Sequence, residues 1–355
     1  MSINISIREE NDITSLKNEW QQLDQYALQQ IHDGKLKYIE YSFYQTYTWN
    51  SYIHKTYKHS KKKVYYTVVS ADKDIKIIVP TLVNMSNKSI KIMTGNIAGI
   101  INIVCPYRDG PTIQTIVSVI QLLKNKYSNG WHVMLKNIPR HSLFVETFAD
   151  QGFKFSERGS YHIPLKDYAN YEEYISNLGK NMYKNIRKAY NHISTDGIDM
   201  KLHVYDKSNH PSKRLLLKIW KLYYKRMLTW KHKKQTLSAH ISCIFKAYKE
   251  CLYGRQTRSM KELEQSELYV LTLNNKIAAF MHVYNHYGYA LMPKLAINHS
   301  FSRYSPGILL LLESLKLMIK KGVKDFDMCR GDERYKKEIG GVMEPLAEII
   351  WPKFN

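Results

Sequence analysis

The chain has 355 residues, enough for two ordinary domains or one large one, and 44% hydrophobic against 24% charged residues exclude extended disorder. Lys and Arg number 53 against 31 Asp and Glu, a net charge of +22 that implies an anionic partner without naming it. The four cysteines lack the short pair spacing of a zinc knuckle or redox pair, so they read as reduced thiols and no metal is expected.

In chain order, residues 14–31 predict a helix with Leu16, Trp20 and Leu23 on one side. Two β-branched runs, 64–70 and 75–83, flank Asp72-Lys73-Asp74 and read as a hairpin. Residues 90–104 continue strand-like, 112–126 read as a helix and 131–135 as a strand. Gly152-Phe153 leads toward a further strand near 161–164. Residues 170–193 are helical, opened by Asn170 with Glu173 and interrupted at Gly179. Past that break, Lys180, Lys184, Arg187 and Lys188 fall on one helix face, with Leu178, Met182, Ile186, Ala189 and Ile193 opposite. A strand follows at 200–205 and a helix from Pro211 to about Trp230, where Trp220, Tyr223, Tyr224 and Trp230 alternate with Lys221, Lys225 and Arg226. Residues 231–265 read as mostly helical and polar. A hairpin, 268–273 and 276–284, turns at Asn274-Asn275, and a strand follows at 289–295. An apolar helix, 308–320, then leads to a strand at 325–328.

Charge is concentrated along this path. Residues 180–234 hold 15 basic and 3 acidic residues, more than half of the whole excess. A basic region of this kind suits a nucleic acid, a phosphorylated co-substrate or an anionic membrane. With 41 Lys to 12 Arg, loose phosphate or lipid contact fits better than dense reading of bases. No helix-turn-helix, zinc finger or stacking platform is visible to support a nucleic-acid-binding class. No window approaches eighteen consecutive apolar residues, and the N-terminal Met-Ser-Ile-Asn-Ile-Ser-Ile-Arg lacks the apolar core of a signal peptide. The expected location is cytoplasmic, with peripheral contact at the inner face of the membrane.

Two segments could carry chemistry. In Arg303-Tyr304-Ser305-Pro306-Gly307-Ile308, Pro306 sits where a first helical position belongs, so free N–H groups would face an anion. Gly307 would admit close approach and Arg303 would add a forked donor. In Asp325-Phe326-Asp327-Met328-Cys329-Arg330-Gly331-Asp332-Glu333-Arg334-Tyr335-Lys336-Lys337-Glu338-Ile339-Gly340, Asp332 or Glu333 could act as a base. Tyr335 could act as an acid toward a thiolate, and Lys336 could pair with a phosphate. Each segment also reads blandly, as a helix cap and as a solvated loop with local ion pairs.

These two segments, together with the Lys/Arg-rich run 177–188 and the strand start Lys276-Ile277-Ala278-Ala279, resemble the GNAT-superfamily acyltransferases of the cellulose-biosynthesis (CelD/BcsL) type. The resemblance covers about 170–350 and, through Thr46-Tyr47-Thr48-Trp49 and the hairpin ending near Val79-Pro80, extends more weakly over about 40–165. It implies an α/β fold of α+β character with two GNAT-like lobes, similar to the Fem-type transferases, each a mixed, mostly antiparallel sheet flanked by helices. The lobes would span 1–165 and 166–355, the second carrying a basic helical segment, 170–265. It also implies acyl-CoA or another acyl thioester, such as an acyl-carrier protein, held in a splayed gap between two strands, placed at 277–284 and 289–295. The pyrophosphate would lie on Arg303, Tyr304, Ser305, Gly307 and Ile308. The usual phosphate loop has glycines that this chain displaces or lacks.

The resemblance further implies attack of an amine or hydroxyl on the thioester. An N–H of strand 277–284 would hold the oxyanion, and Asp332, Glu333 or His282 would serve as base. Lys336 resembles the lysine that Fem-type enzymes place near the reacting carbonyl. The stripe Lys180, Lys184, Arg187 and Lys188 would be a solvated face, an acceptor site or a membrane contact. The expected acceptor is a cell-envelope precursor, a polysaccharide sugar or a sphingoid or lipid base. The alternatives are a Fem-like transferase using aminoacyl-tRNA and a non-catalytic GNAT scaffold.

Overall fold

A computed structural model describes residues 4–57, 62–93, 102–150, 156–230 and 236–351. In chain order the elements begin with strand β1 (Ile5–Glu10), helices α1 (Lys17–His32) and α2 (Tyr47–Tyr57), and strands β2 (Lys63–Ala71), β3 (Asp74–Asn84) and β4 (Ser89–Ile92). Helix α3 (Gly110–Ser128), strand β5 (His132–Pro139), helix α4 (Leu143–Asp150) and strand β6 (Ser156–Ile163) follow. Next come α5 (Tyr171–Ser176), α6 (Lys180–Thr195), β7 (Met200–Tyr205), α7 (Lys213–Trp230), α8 (Leu237–Tyr253) and α9 (Arg255–Glu262). The last are β8 (Ser266–Leu273), β9 (Lys276–His286), β10 (Tyr289–Ile297), α10 (Pro306–Lys320), β11 (Asp325–Arg330), α11 (Arg334–Glu338) and β12 (Val342–Trp351). Gly152-Phe153, most of the run expected to continue the strands at 90–104, and residues 231–235 lie outside the described residues.

The chain divides into two compact units. One comprises Met1–Ser160, Arg330–Asp332 and Met343–Asn355; the other comprises Tyr161–Cys329 and Glu333–Val342. The C-terminal strand therefore belongs with the first unit, not with the second half of the sequence as expected. The reason is pairing: β12 runs antiparallel to β5, with Leu346 opposite Pro139 and Ile349 opposite Leu135, and it buries Leu346, Ala347 and Ile349.

The first unit has the strand order β1-β2-β3-β4-β5-β12. Its pairs are antiparallel except β4 and β5, which run parallel and are joined through α3. The β2–β3 turn places Asp72 and Lys73 at φ of 49° and 77°, the left-handed pair that a two-residue hairpin requires. Trp20 is fully buried, edge-on to Tyr66 at 5.8 Å, with its indole N–H donating to the Gln45 carbonyl at 3.0 Å. A large apolar ring whose one polar atom is satisfied is a cheap way to fill a core.

The second unit has the order β11-β10-β9-β8-β7. Its pairs are antiparallel except β10 and β11, joined by α10. Both faces of this sheet are covered, so its central strands β8 and β9 are buried along most of their length. On one face Tyr269, Leu271, Ala279, Met281 and Val283 pack with α6 (Met182, Ile186, Ala189) and α10 (Leu309, Leu312, Leu315). On the other face Leu268, Val270 and Phe280 pack with Leu216, Ile219 and Trp220 of α7, Ala247 of α8 and Met260 of α9. Gly179 is the extended N-cap of α6, which explains the break read from sequence.

Candidate functional site

The site is built on strand β10, helix α10 and strand β11. The parallel ladder between β10 and β11 is short: Tyr289, Ala290 and Leu291 pair with Asp325, Phe326 and Asp327. The register of β10 against β9 then shifts between Leu291 and Lys294, at Met292-Pro293, where Pro293 has no N–H to donate. Beyond Leu291 no residue of β10 is paired to β11, although β10 runs to Ile297 and β11 to Arg330. The splayed gap therefore lies between β10 and β11. The sequence reading placed it between 277–284 and 289–295, but those strands form an antiparallel hairpin closed along its length, from Tyr289–His286 to Ile297–Ala279. The oxyanion donor expected from 277–284 moves with it, because β9 is bonded to β8 on one edge and β10 on the other.

Helix α10 starts where β10 ends. Ser305 is its N-cap in the left-handed region, φ 48°, and makes no side-chain cap, so Pro306 begins the helix directly. Gly307 has a packing reason: a Cβ there would lie 3.0 Å from Ile297 Cγ2, so the helix start presses on the end of β10. Below it a cavity of about 700 Å³ is lined by Asn185, Lys188 and His192 of α6, by Arg303, Ser305 and Ile308, and by Tyr335 and Glu338 of α11. This cavity unites five of the sequence-selected residues: Arg303, Ser305 and Ile308 from the expected phosphate site, Lys188 from the cationic stripe, and Tyr335. Lys180, Lys184 and Arg187 are exposed positions of α6 and are not among its lining residues.

Arg303 is not waiting for an anion. Its Nε and Nη2 donate to the Asp196 carboxylate at 2.9 and 3.3 Å, and the Tyr304 hydroxyl donates to the same group at 2.9 Å. These bonds hold the Asp196 carboxyl below its ordinary range. The pair is exposed, so its net contribution to stability is small and an incoming anion could exchange for it.

The turn from β11 into α11 rests on buried charge. Lys336 is 2% exposed; its ammonium donates to the Cys329 carbonyl at 2.9 Å and pairs with Glu333 at 3.1 Å. On its other side the Cys329 N–H donates to Asp327 Oδ1, and Cys329 itself is held at φ 58°. A cysteine in that region is strained, and both its backbone groups are clamped by charged side chains. Lys336 thus positions Tyr335, its neighbour in sequence. Tyr335 is half-buried, and burial first, then Glu333, raises its phenol well above the ordinary value, so it stays protonated. Its surroundings also include Arg226 of α7, whose guanidinium donates to the Leu295 carbonyl on β10.

The three expected bases take other places. His282 shares the parity of Phe280 and so points into the α7–α9 layer, opposite the face that carries α6 and α10. It is fully buried, bonded to Ser266 Oγ at 2.7 Å, and burial lowers its pKa to about 3. Asp332 is exposed and falls in the Arg330–Asp332 stretch of the first unit, while Glu333 is exposed and engaged by Lys336. The structure adds a group the sequence reading passed over. Asp327 is buried, and desolvation, then Asp325, raises its pKa to about 7. The run Asp325-Phe326-Asp327-Met328 alternates, with Phe326 and Met328 in the core, so both carboxylates share the other face of β11. Asp325 is bonded to His162 Nδ1 at 2.6 Å. Among the described residues no group of His, Cys, Asp and Glu is arranged to hold a metal.

Replacing Lys336 with Met should cost about 3 kcal/mol in chemical denaturation, because it leaves the Cys329 carbonyl and the nearby carboxylates without their cation. Asp327 predicts a pH signature. Its raised pKa means that the folded protein holds a proton the unfolded chain has released between about pH 4 and pH 7, so stability falls as pH rises through that window. Asp327→Asn should flatten this slope by up to about one proton, or about 1.4 kcal/mol per pH unit, in unfolding measured across the window. An unchanged slope would show that Asp327 titrates normally.

Residues 180–337 match the acetyltransferase (GNAT) domain family. No curated protein matches the chain. Solved structures similar in fold cover nearly all of it. The C-terminal domain of a putative lysylphosphatidylglycerol synthetase from Agrobacterium fabrum has a TM-score of 0.53 at 10% identity, over 96% of this chain and 92% of that one. FemX has a TM-score of 0.55 at 9% identity, over 92% and 96%. A tandem GNAT protein from the clavulanic acid biosynthesis pathway has a TM-score of 0.54 at 9% identity, over 98% and 97%. The matched span, less than half of the chain, contains α6, the β10–β11 gap, the start of α10 and Tyr335, so this part of the chain is similar to a GNAT acetyltransferase domain.

Proposed function

We propose that the second unit transfers an acyl group from acyl-CoA, or from the thioester of an acyl-carrier protein, to an amine or hydroxyl of a cell-envelope precursor such as a polysaccharide sugar or a sphingoid or lipid base. The observation that carries the reading is the single cavity joining the start of α10, Arg303 and Lys188 to the phenol of Tyr335. The thioester arm would enter the open end of the β10–β11 gap, its phosphates against the α10 start, with Arg303 exchanging Asp196 for phosphate oxygens. Lys188 and His192 line the same wall. The cellulose-biosynthesis type of the superfamily agrees with the motif order, and the fold likeness to FemX and to the lysylphosphatidylglycerol synthetase domain agrees with an envelope acceptor.

The chemistry follows from these positions. The acceptor nitrogen or oxygen attacks the thioester carbonyl carbon, and the developing oxyanion takes backbone N–H groups of β10 that β11 leaves unpaired. The C–S bond breaks as the carbonyl reforms. The leaving sulfur takes the proton of the Tyr335 phenol, and the tyrosinate recovers the proton that the acceptor lost, through water. Burial keeps the phenol protonated and so available as a donor, but it also makes it a weak acid, so the proton moves only as charge develops on the departing sulfur. Holding both reactants in one cavity would supply much of the remaining rate.

The test is a thiol-release assay with acyl-CoAs and amine or hydroxyl acceptors, paired with calorimetric binding of CoA. Tyr335→Phe should lower kcat by about 100-fold or more while leaving the thioester KM within about twofold. Asp196→Asn should release Arg303 and tighten CoA several-fold, and Arg303→Ala should weaken it by about tenfold. A chain that binds no CoA or acyl-CoA, or a Tyr335→Phe variant with full kcat, would overturn the reading.

A further inference from the structure

Helix α8 is built in an unusual sense. It packs against α7 through small residues, Cys243, Ala247 and Cys251, all buried; Cys243 Sγ approaches the Tyr224 carbonyl at 3.3 Å and Cys251 Sγ the Lys213 carbonyl at 3.5 Å. Its large apolar residues point away from the protein. Leu237 is 79% exposed and Phe245 58%, while Ile241, Ile244 and Tyr248 are each more than half exposed. These five positions fall within about 100° of one another around the helix, so they form one continuous stripe. Exposed bulky residues scattered singly need no explanation, but an aligned stripe of five does.

The charges beside the stripe are of one sign. Lys246 and Lys249 are exposed, and the Lys249 ammonium lies 4.6 Å above the Phe245 ring, its stem along the apolar surface. The helix has one carboxylate, Glu250, and it is turned inward, accepting from the Gln256 N–H at 3.1 Å. Between Asp206 and Glu250 the sequence has ten lysines, two arginines and no acidic residue. A groove beside α7 and the β8–β9 turn, about 660 Å³, is lined by Arg214, Lys218, Lys221, Lys225 and Lys276.

We propose that α8 is an interfacial helix that docks this protein on an anionic lipid bilayer. The stripe from Leu237 to Tyr248 would enter the boundary between headgroups and acyl chains, and Lys246 and Lys249 beside it would meet the negative headgroups. The combination selects this occupant. A nucleic acid would use the cations and gain nothing from the aliphatic stripe. A second copy meeting this face would bring two strongly basic stretches together and repel. No helix among the described residues is long and apolar enough to cross a membrane, so the contact is one of lying on the surface. This docking does not depend on the acyl acceptor or on the donor.

The experiment is co-sedimentation of the full chain with vesicles of phosphatidylcholine and with vesicles of phosphatidylcholine mixed with phosphatidylglycerol. The wild type should sediment with the mixed vesicles and remain in solution with the zwitterionic ones. Ile244→Ser/Phe245→Ser should lower partitioning by about tenfold or more while keeping the wild-type melting temperature, because both positions are exposed. Lys246→Glu/Lys249→Glu, which leaves the stripe intact, should remove the preference for phosphatidylglycerol. Sedimentation unchanged by the serine pair, or absent with both vesicles, overturns the proposal. So does a wild-type dimer that the serine pair converts to monomer, since the stripe would then be an interface between copies. Full CoA binding by the serine pair would separate this outcome from failure of the acyl-transfer reading.

Discussion

The ammonium of Lys336 is the constraint on which the site depends. Taking a lysine out of water costs several kcal/mol unless its donors are met, and here a carbonyl and a carboxylate meet them. The return is geometric. With the Cys329 carbonyl held by Lys336 and its N–H by Asp327, the chain leaves β11 through a left-handed residue instead of continuing the strand. That reversal starts α11 and sets Tyr335 beside the cavity. A short, flexible stem with a compact charge can reach both acceptors, whereas a planar guanidinium would need a wider, forked arrangement. In the proposed reaction Lys336 would act through Tyr335 rather than by touching a reactant.

A second constraint works alongside it. Each unit contains a parallel strand pair, β4 with β5 and β10 with β11, joined by a crossover helix, α3 or α10. Parallel pairing demands such a crossover, and the crossover places a helix start at the end of the preceding strand. In the second unit the pairing lasts three residues before Met292-Pro293 releases β10. Strand edges without partners carry free N–H groups, and a helix start adds more. The point where the ladder ends is therefore rich in donors by construction, before any side chain is considered.

Much of this was legible in the sequence, and the parts that were not share a cause. The cationic and apolar faces of α6 followed from period, and Met182, Ile186, Ala189 and Ile193 are indeed buried. The hairpins at Asp72-Lys73 and Asn274-Asn275 followed from turn residues that tolerate positive φ. Failures came wherever a residue's role depends on a distant partner. His282 looked available because a strand position does not reveal which face is which when both are buried. The gap was assigned to β9 and β10 because parallel pairing with β11 crosses a whole helix. Arg303 reads as a free cation until Asp196, more than a hundred residues earlier, is seen beside it. The strand β12 is masked in sequence by Pro345, and α8 reads as polar because its apolar residues are interleaved with Ser, His and Lys at helical spacing.

The net charge of +22 can now be apportioned by what surrounds it. A CoA-type donor has few phosphates, and the cavity offers Lys188 and Arg303, the latter already balanced by Asp196. That local supply is modest and adjustable, as a site that must bind and release a product requires. The stripe of Lys180, Lys184 and Arg187 is solvent-facing on α6, where water and salt screen it. The stretch from Lys207 to Lys249 is different in kind, since it contains twelve cations and no acidic residue. Excess of that size exceeds the demand of any donor phosphate group, and self-repulsion makes it costly for the compact state. A stretch of sequence that accepts this cost while also exposing an apolar helix face fits the proposed docking on a surface larger than a small molecule.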